Sequence, residues 1–178
     1  MKELTNIKYW IFDLDNTLYS GQTKVFSEVD KKMSAYISKK LNIDLIKARE
    51  IQKKYFYETG TTLSGLMKHN NIDPHEFLEF VHDIDLEILK PNSKLTNIIE
   101  KLPGNKFVFT NGSKKHAENV IRQLQMDKVF DDIFDIKDSN FIPKPNINAY
   151  LNFIDKTKIK PKRSIMFEDI GRNLEPAK

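Results

Sequence analysis

The chain has 178 residues, enough for one α/β domain with a modest insertion, and 39% hydrophobic against 30% charged residues supply a core and a solvated surface. It contains no cysteine, which excludes a disulfide framework and thiolate chemistry. The net charge of +4 is scattered over Lys39-Lys40, Lys53-Lys54, Lys114-Lys115 and residues 160–163, which reads as solvated faces and disfavours a nucleic-acid partner.

A mildly basic surface suits a small anionic substrate. The N-terminus lacks a signal-peptide pattern, and no apolar run is long enough to span a bilayer, so no membrane partner and a cytoplasmic location are expected.

Residues 7–12 form an apolar run that predicts a strand buried on both faces, as in a parallel sheet. The run enters Asp13-Leu14-Asp15, with two acids at i and i+2, and then the small polar turn Asn16-Thr17. Residues 24–90 read as almost entirely helical. Val25, Val29, Met33, Tyr36 and Ile37 share one helical face, and Ala48, Ile51, Tyr55 and Phe56 make a second stripe that Gly60 stops. Thr61-Thr62 predicts the start of a third helix. Asp73-Pro74-His75-Glu76 predicts a fourth, with an N-cap acid, proline at N1 and glutamate at N3. Pro91 closes this block.

Beyond residue 93 helix and strand alternate. Leu95, Ile98, Ile99 and Leu102 mark a helix, Lys106-Phe107-Val108-Phe109-Thr110 a strand, and Ala117, Val120, Ile121 and Leu124 another helix. Ile133-Phe134-Asp135-Ile136 reads as a short strand, and Pro145 as the start of a helix through Ala149, Tyr150 and Phe153. Ser164-Ile165-Met166-Phe167 reads as a strand running into Glu168-Asp169. The alternation predicts a Rossmann-like, doubly wound parallel sheet with right-handed connections, interrupted after its first strand by the helical block.

Strand ends in such a sheet share one crevice. Asp13 and Asp15, Thr110-Asn111-Gly112 and Glu168-Asp169 are therefore expected together, with Lys144 nearby. Four acids and a lysine in one place suit a hard cation held by oxygen ligands beside an anion. Taken singly, each motif has a plainer reading: a solvated strand end, a turn, a surface lysine, a helix cap. His69, His75, His82 and His116 lack ligand spacing and read as surface or packing residues.

The four motifs Asp13-Leu14-Asp15-Asn16-Thr17, Phe109-Thr110-Asn111-Gly112, Lys144-Pro145 and Phe167-Glu168-Asp169, in this order, resemble those of the haloacid dehalogenase-like (HAD) hydrolases. A closer likeness, to the pyrimidine 5′-nucleotidase branch, rests on residues 12–19, on Gly60-Thr61-Thr62-Leu63-Ser64-Gly65-Leu66, on His82-Asp83-Ile84-Asp85 and on Phe109-Thr110-Asn111-Gly112-Ser113. The resemblance implies a HAD-like α/β core over residues 1–19 and 91–178 and a helical cap over residues 20–90. It implies Asp13 as nucleophile, Asp15 as acid and base, and Thr110 and Lys144 as catalytic partners of the phosphoryl group. It further implies Mg²⁺ held by Asp13, the backbone carbonyl of Asp15 and Asp169, with Glu168 at the edge of the metal shell.

Substrate contacts are expected from Asn111 and Gly112, and from Thr61 and Thr62 in the cap, although Gly60-Thr61-Thr62 alone reads as a helix stop and N-cap. The implied activity is phosphomonoester hydrolysis of a small phosphorylated metabolite, a nucleoside 5′-monophosphate with a pyrimidine preferred. Sugar phosphates, phosphoglycolate or a broad set of esters are the alternative, followed by a phosphomutase or an inactive phosphate-binding protein. The chain departs from the family pattern at Ile170, where many relatives carry serine. It also stops at Lys178, where relatives continue to a further strand, so a shortened member is expected.

Overall fold

A computed structural model describes residues 2–178; Met1, at the edge of the expected first core segment, lies outside the described residues. Four strands form one parallel sheet: β1 (Tyr9–Phe12), β2 (Asn105–Phe109), β3 (Asp132–Phe134) and β4 (Ser164–Phe167), in the order β3-β2-β1-β4. β1 is central and pairs with both β2 and β4, Phe12 lying opposite Val108 on one side and Phe167 on the other. This register sets the next residues, Asp13 and Glu168, side by side just past the sheet edge.

Side chains alternate across the sheet, as the two-residue strand period requires. Trp10, Phe12 and Val108 face one core with Ile99 of α5 (Ser93–Glu100) and Ala117, Val120 and Ile121 of α6 (Lys114–Gln123). Ile11, Phe107, Phe109 and Phe134 face the other with Ala149, Tyr150 and Phe153 of α7 (Ile147–Thr157). Helices thus cover both faces, which is why β1 and the Phe107–Phe109 stretch of β2 carry no charged residue.

Between β1 and β2 lie α1 (Val25–Leu41), α2 (Leu45–Thr59), α3 (Thr62–Asn70) and α4 (Pro74–Val81). They pack around their own core of Val29, Tyr36, Ile37, Ala48, Leu63, Leu66, Phe77 and Val81, joined by Ile136 from beyond β3. Each such large side chain is worth about 1.5–3 kcal/mol when buried. Their ends carry the expected chemistry: Asp44, Thr61 and Asp73 accept from the backbone N–H groups of Lys47, Ser64 and His75. Gly65 lets α3 sit against α2 so closely that an added Cβ would lie 2.2 Å from Tyr55 Cβ.

Three expectations are corrected. The helical block ends at Val81, and the path from Asp83 to Asn92 is turn and irregular chain, where aspartates and Pro91 favour local turns over helix. Pro145 lies in a turn, with its bond to Lys144 cis, and α7 starts at Ile147 behind the N-cap Asn146, whose side chain accepts from Asn148 N–H. The short strand covers Asp132–Phe134; Asp135 leaves the ladder because its carboxylate accepts from the backbone N–H groups of Lys114, Lys137 and Asp138.

Candidate active site

Lys144 joins three strand ends at one nitrogen. Its Nζ donates to Asp13 Oδ1 (2.8 Å) after β1, to the Phe109 carbonyl (2.7 Å) ending β2, and to Glu168 Oε1 (2.9 Å) after β4. The lysine is 1% exposed, so its charge sits where water cannot screen it. Burial works against that charge, but the Asp13 and Glu168 carboxylates outweigh it and raise the ammonium above its ordinary value. The loop carrying Lys144 is set by Asn111, whose side-chain amide donates to the Lys144 carbonyl (3.1 Å) while its oxygen accepts from the Lys144 N–H (2.8 Å). The Asn111 side chain thus locks the lysine loop, a role that its place in a turn did not suggest.

Asp13 is buried, and burial pushes its carboxyl up to about 6 despite Lys144, with the charges of Glu168 and Asp15 adding to the rise. Such a carboxylate is desolvated and basic, the state a nucleophile needs. Thr110 is also buried; its Oγ1 accepts from the Gly112 N–H at 2.9 Å, which leaves its own proton to be given onward.

Asp13, Glu168 and Asp169 each offer a carboxylate oxygen within 4.8 Å of the others. A hard divalent cation fits this all-oxygen set. Glu168 is already engaged: Oε1 takes Lys144 and the Asn173 amide (2.5 Å), and Oε2 takes the Ile170 N–H (2.7 Å). Burial and the Glu168 charge raise Asp169, the exposed member of the set, and a cation would relieve both. The Asp15 side chain stands apart from this cluster, turned toward His116 and Tyr19, so only its backbone carbonyl remains for the expected metal contact.

These groups form the floor of a cavity of about 270 Å³ roofed by the four helices. Apolar side chains, among them Phe26, Val29, Met33, Phe56, Phe77 and Val81, make most of the roof. Thr61 and Thr62 line it too, but Thr61 Oγ1 caps α3 and Thr62 Oγ1 donates to the Gln52 carbonyl at 3.2 Å, so both hydroxyls are spent on structure.

The expectation that the histidines are surface or packing residues fails for two of them. His116 Nε2 lies 3.0 Å from Asp15 Oδ1, and His82 Nδ1 lies 3.0 Å from Ser113 Oγ; the two rings stack with centroids 4.2 Å apart. Burial lowers His82 to about 3, and the neighbouring His116 adds to the fall. Asp15 also loses by burial, yet His116 and the hydrogen bonds from His116 and Tyr19 bring it below the usual carboxylate range. His82 belonged to the quoted stretch His82-Asp83-Ile84-Asp85, and His116 sits at the third position of a Ser113-capped helix. Those were the available signals. Arg172, one turn past Asp169, carries no such signal in the sequence.

A family model described as hydrolase, haloacid dehalogenase-like hydrolase, matches residues 7–178. Phosphate metabolism protein 8 of Saccharomyces cerevisiae is 31% identical over 138 residues, covering 71% of this chain and 42% of that protein, so the chain spans less than half of this curated relative. The solved L-2-haloacid dehalogenase of Xanthobacter autotrophicus has a TM-score of 0.59 at 16% identity, over 96% of this chain and 73% of the other. The HAD-hydrolase YfnB of Bacillus subtilis, solved bound to magnesium, has a TM-score of 0.59 at 17% identity, over 96% and 82%. At such identities the structural likeness speaks for the fold alone.

Proposed function

The chain belongs to the haloacid dehalogenase-like hydrolases, and from that premise we propose that it is a Mg²⁺-dependent phosphomonoesterase that hydrolyses nucleoside 5′-monophosphates, with pyrimidines preferred. The reading is carried by one observation: a desolvated Asp13 held against the buried Lys144 ammonium, with a second carboxylate, Asp15, two residues on. A dehalogenase has no use for Asp15 or for the oxygen cluster of Asp13, Glu168 and Asp169; phosphoryl transfer uses both.

Asp13 attacks phosphorus in line with the leaving oxygen and becomes an aspartyl-phosphate. Asp15 gives a proton to the departing alkoxide and later takes one from the water that releases phosphate. The free site holds Asp15 ionised; an arriving phosphate dianion adds negative charge and favours its protonated form. Thr110 donates its hydroxyl to a phosphoryl oxygen, and Lys144 offsets the charge on Asp13. Mg²⁺, held by Asp13, Asp169 and the Asp15 carbonyl with Glu168 behind, would neutralise the charge on the phosphoryl oxygens when bound.

Residues 20–90 act as the cap over this floor. They exclude bulk water, and their aromatic and aliphatic wall suits the flat face of a base better than a polyhydroxylated sugar. Thr61 and Thr62 contribute position rather than free hydroxyls. The test is a phosphate-ester screen with and without Mg²⁺ over UMP, CMP, purine nucleotides, sugar phosphates and phosphoglycolate. The expected result is the highest kcat/KM on UMP or CMP and no turnover for Asp13→Asn. Preference for a sugar phosphate or phosphoglycolate overturns the substrate, and activity surviving in Asp13→Asn overturns the mechanism.

A further inference from the structure

Two donors reach a single oxygen of Asp15 from distant parts of the chain. Tyr19 Oη donates to Asp15 Oδ1 at 2.6 Å, and His116 Nε2 lies 3.0 Å from the same atom. Both donors are buried, Tyr19 at 6% and His116 at 1% exposure. The His116 ring is itself held flat by the His82 ring, stacked 4.2 Å away and within 8° of parallel. Ser113 Oγ accepts from the His116 backbone N–H and meets His82 Nδ1, which ties both histidines to one cap.

A buried imidazole N–H needs a partner, and the one chosen here is a carboxylate that opens on the substrate cavity. The terminal torsion of an aspartate is broad and soft by itself. Two charge-assisted hydrogen bonds to one oxygen remove that freedom. We propose that His116 and Tyr19 are positioning residues for proton transfer: by occupying Oδ1 they turn Asp15 Oδ2 toward the leaving-group oxygen of the substrate. The inference rests on the phosphomonoesterase reading above.

When an Asp13 oxygen bonds to phosphorus, the bond from phosphorus to the leaving oxygen breaks. The electron pair stays on that oxygen, which takes the proton from Asp15 Oδ2. In the second half, the water oxygen bonds to phosphorus and its proton returns to Asp15 Oδ2. The pair of the breaking bond returns to the Asp13 carboxylate. Only a leaving oxygen that departs as a strongly basic alkoxide depends on the aim of Oδ2 in the first half. A p-nitrophenolate leaves without a proton.

The experiment compares single-turnover cleavage of UMP and of p-nitrophenyl phosphate by the wild type, His116→Phe and Tyr19→Phe, with Mg²⁺ present. His116→Phe keeps a ring against His82 and removes the donor; Tyr19→Phe removes one hydroxyl. A correctly aimed acid is worth roughly 10²–10⁴-fold, so each variant should cleave UMP roughly 10- to 100-fold more slowly. Release of p-nitrophenol in the first turnover should change less than about threefold, because that leaving group needs no aimed proton. KM for UMP should stay close to the wild-type value. Equal slowing of both esters marks a purely structural role and overturns the inference, as does no slowing of either. A wild type inactive on both esters overturns the phosphomonoesterase reading itself. Tyr19→Phe, the smaller change, keeps the test alive if His116→Phe does not fold.

Discussion

Arg172 reaches from α8 (Gly171–Leu174) to the end of α2, where its guanidinium donates to the Gly60 carbonyl at 3.1 Å. It lies over the Phe56 ring, 4.2 Å from the centroid, and contacts the Phe56 carbonyl at 3.4 Å. The turn that carries Asp169 is thereby pinned to the helices that roof the cavity. Gly60, at φ +90°, makes the fit possible: a Cβ there would be strained, and the backbone passes close to the Lys144 carbonyl. Removing the guanidinium with Arg172→Ala should cost about 2–4 kcal/mol, the sum of a partly desolvated cation–π contact and a charged hydrogen bond. Urea unfolding would read the loss, and amide exchange should rise most at residues 56–62.

Lys144→Met should be far more damaging. It strands Asp13 and Glu168, whose side chains are 10% and 1% exposed, without their counter-charge. Breaking a buried pair in this way costs about 3–5 kcal/mol. The loss should shrink as pH falls, because Asp13, already pushed up to about 6, then takes a proton and no longer needs the ammonium. Chemical denaturation at pH 5 and pH 8 would show the difference, and phosphatase activity should be lost at both.

His82 gives the stability curve a definite slope. Its folded value of about 3 lies below the ordinary 6.5, so the unfolded chain takes up a proton that the folded chain refuses. The stability it contributes is therefore present above pH 6.5 and is lost as pH falls toward about 3. Asp13, raised to about 6, acts the other way: its contribution is present below 3.8 and is lost as pH rises through about 6. Replacing His82 isolates the first effect. Relative to wild type, His82→Phe should gain about 2 kcal/mol between pH 7 and pH 5. Paired urea titrations at the two pH values measure it, and a pH-independent difference would refute the assignment.

Magnesium should stabilise the folded protein without any substrate. At a concentration 100 times its Kd, a cation that binds only the native state adds about 2.7 kcal/mol. The wild-type Tm should rise with MgCl₂, and Asp169→Asn should abolish the rise because Asp169 is the one exposed carboxylate of the cluster. An unchanged response in that variant would mean that the cation binds elsewhere.

Much of this architecture was legible because strands and strand ends announce themselves. An apolar run ending in Asp13-Leu14-Asp15 has few readings, and the register of β1 against β4 brings Glu168 to the place that its spacing in the chain implied. The histidines were not legible, since a single imidazole has no pattern. Nothing local links His116 to Asp15, 101 residues earlier, or to His82 on the other side of β2. Pro145 misled because proline marks both a helix start and a tight turn, and only the contact of Asn111 with the Lys144 backbone shows which applies. Arg172 was silent for a similar reason: its partners are the Phe56 ring and the Phe56 and Gly60 carbonyls, more than 110 residues earlier in the chain.

An ammonium group has three protons, and Lys144 has spent all three on Asp13, Phe109 and Glu168. It can contribute charge to a bound phosphate but no hydrogen bond unless it lets one of these go. The grip on the anion then falls to groups with a proton still to offer, the Thr110 hydroxyl first. A charge fixed on three sides does not have to turn when the substrate arrives, so the site meets the growing negative charge with almost no reorganisation energy. Arginine at this position would bring the same charge in a flat fork that cannot meet three acceptors gathered around one nitrogen.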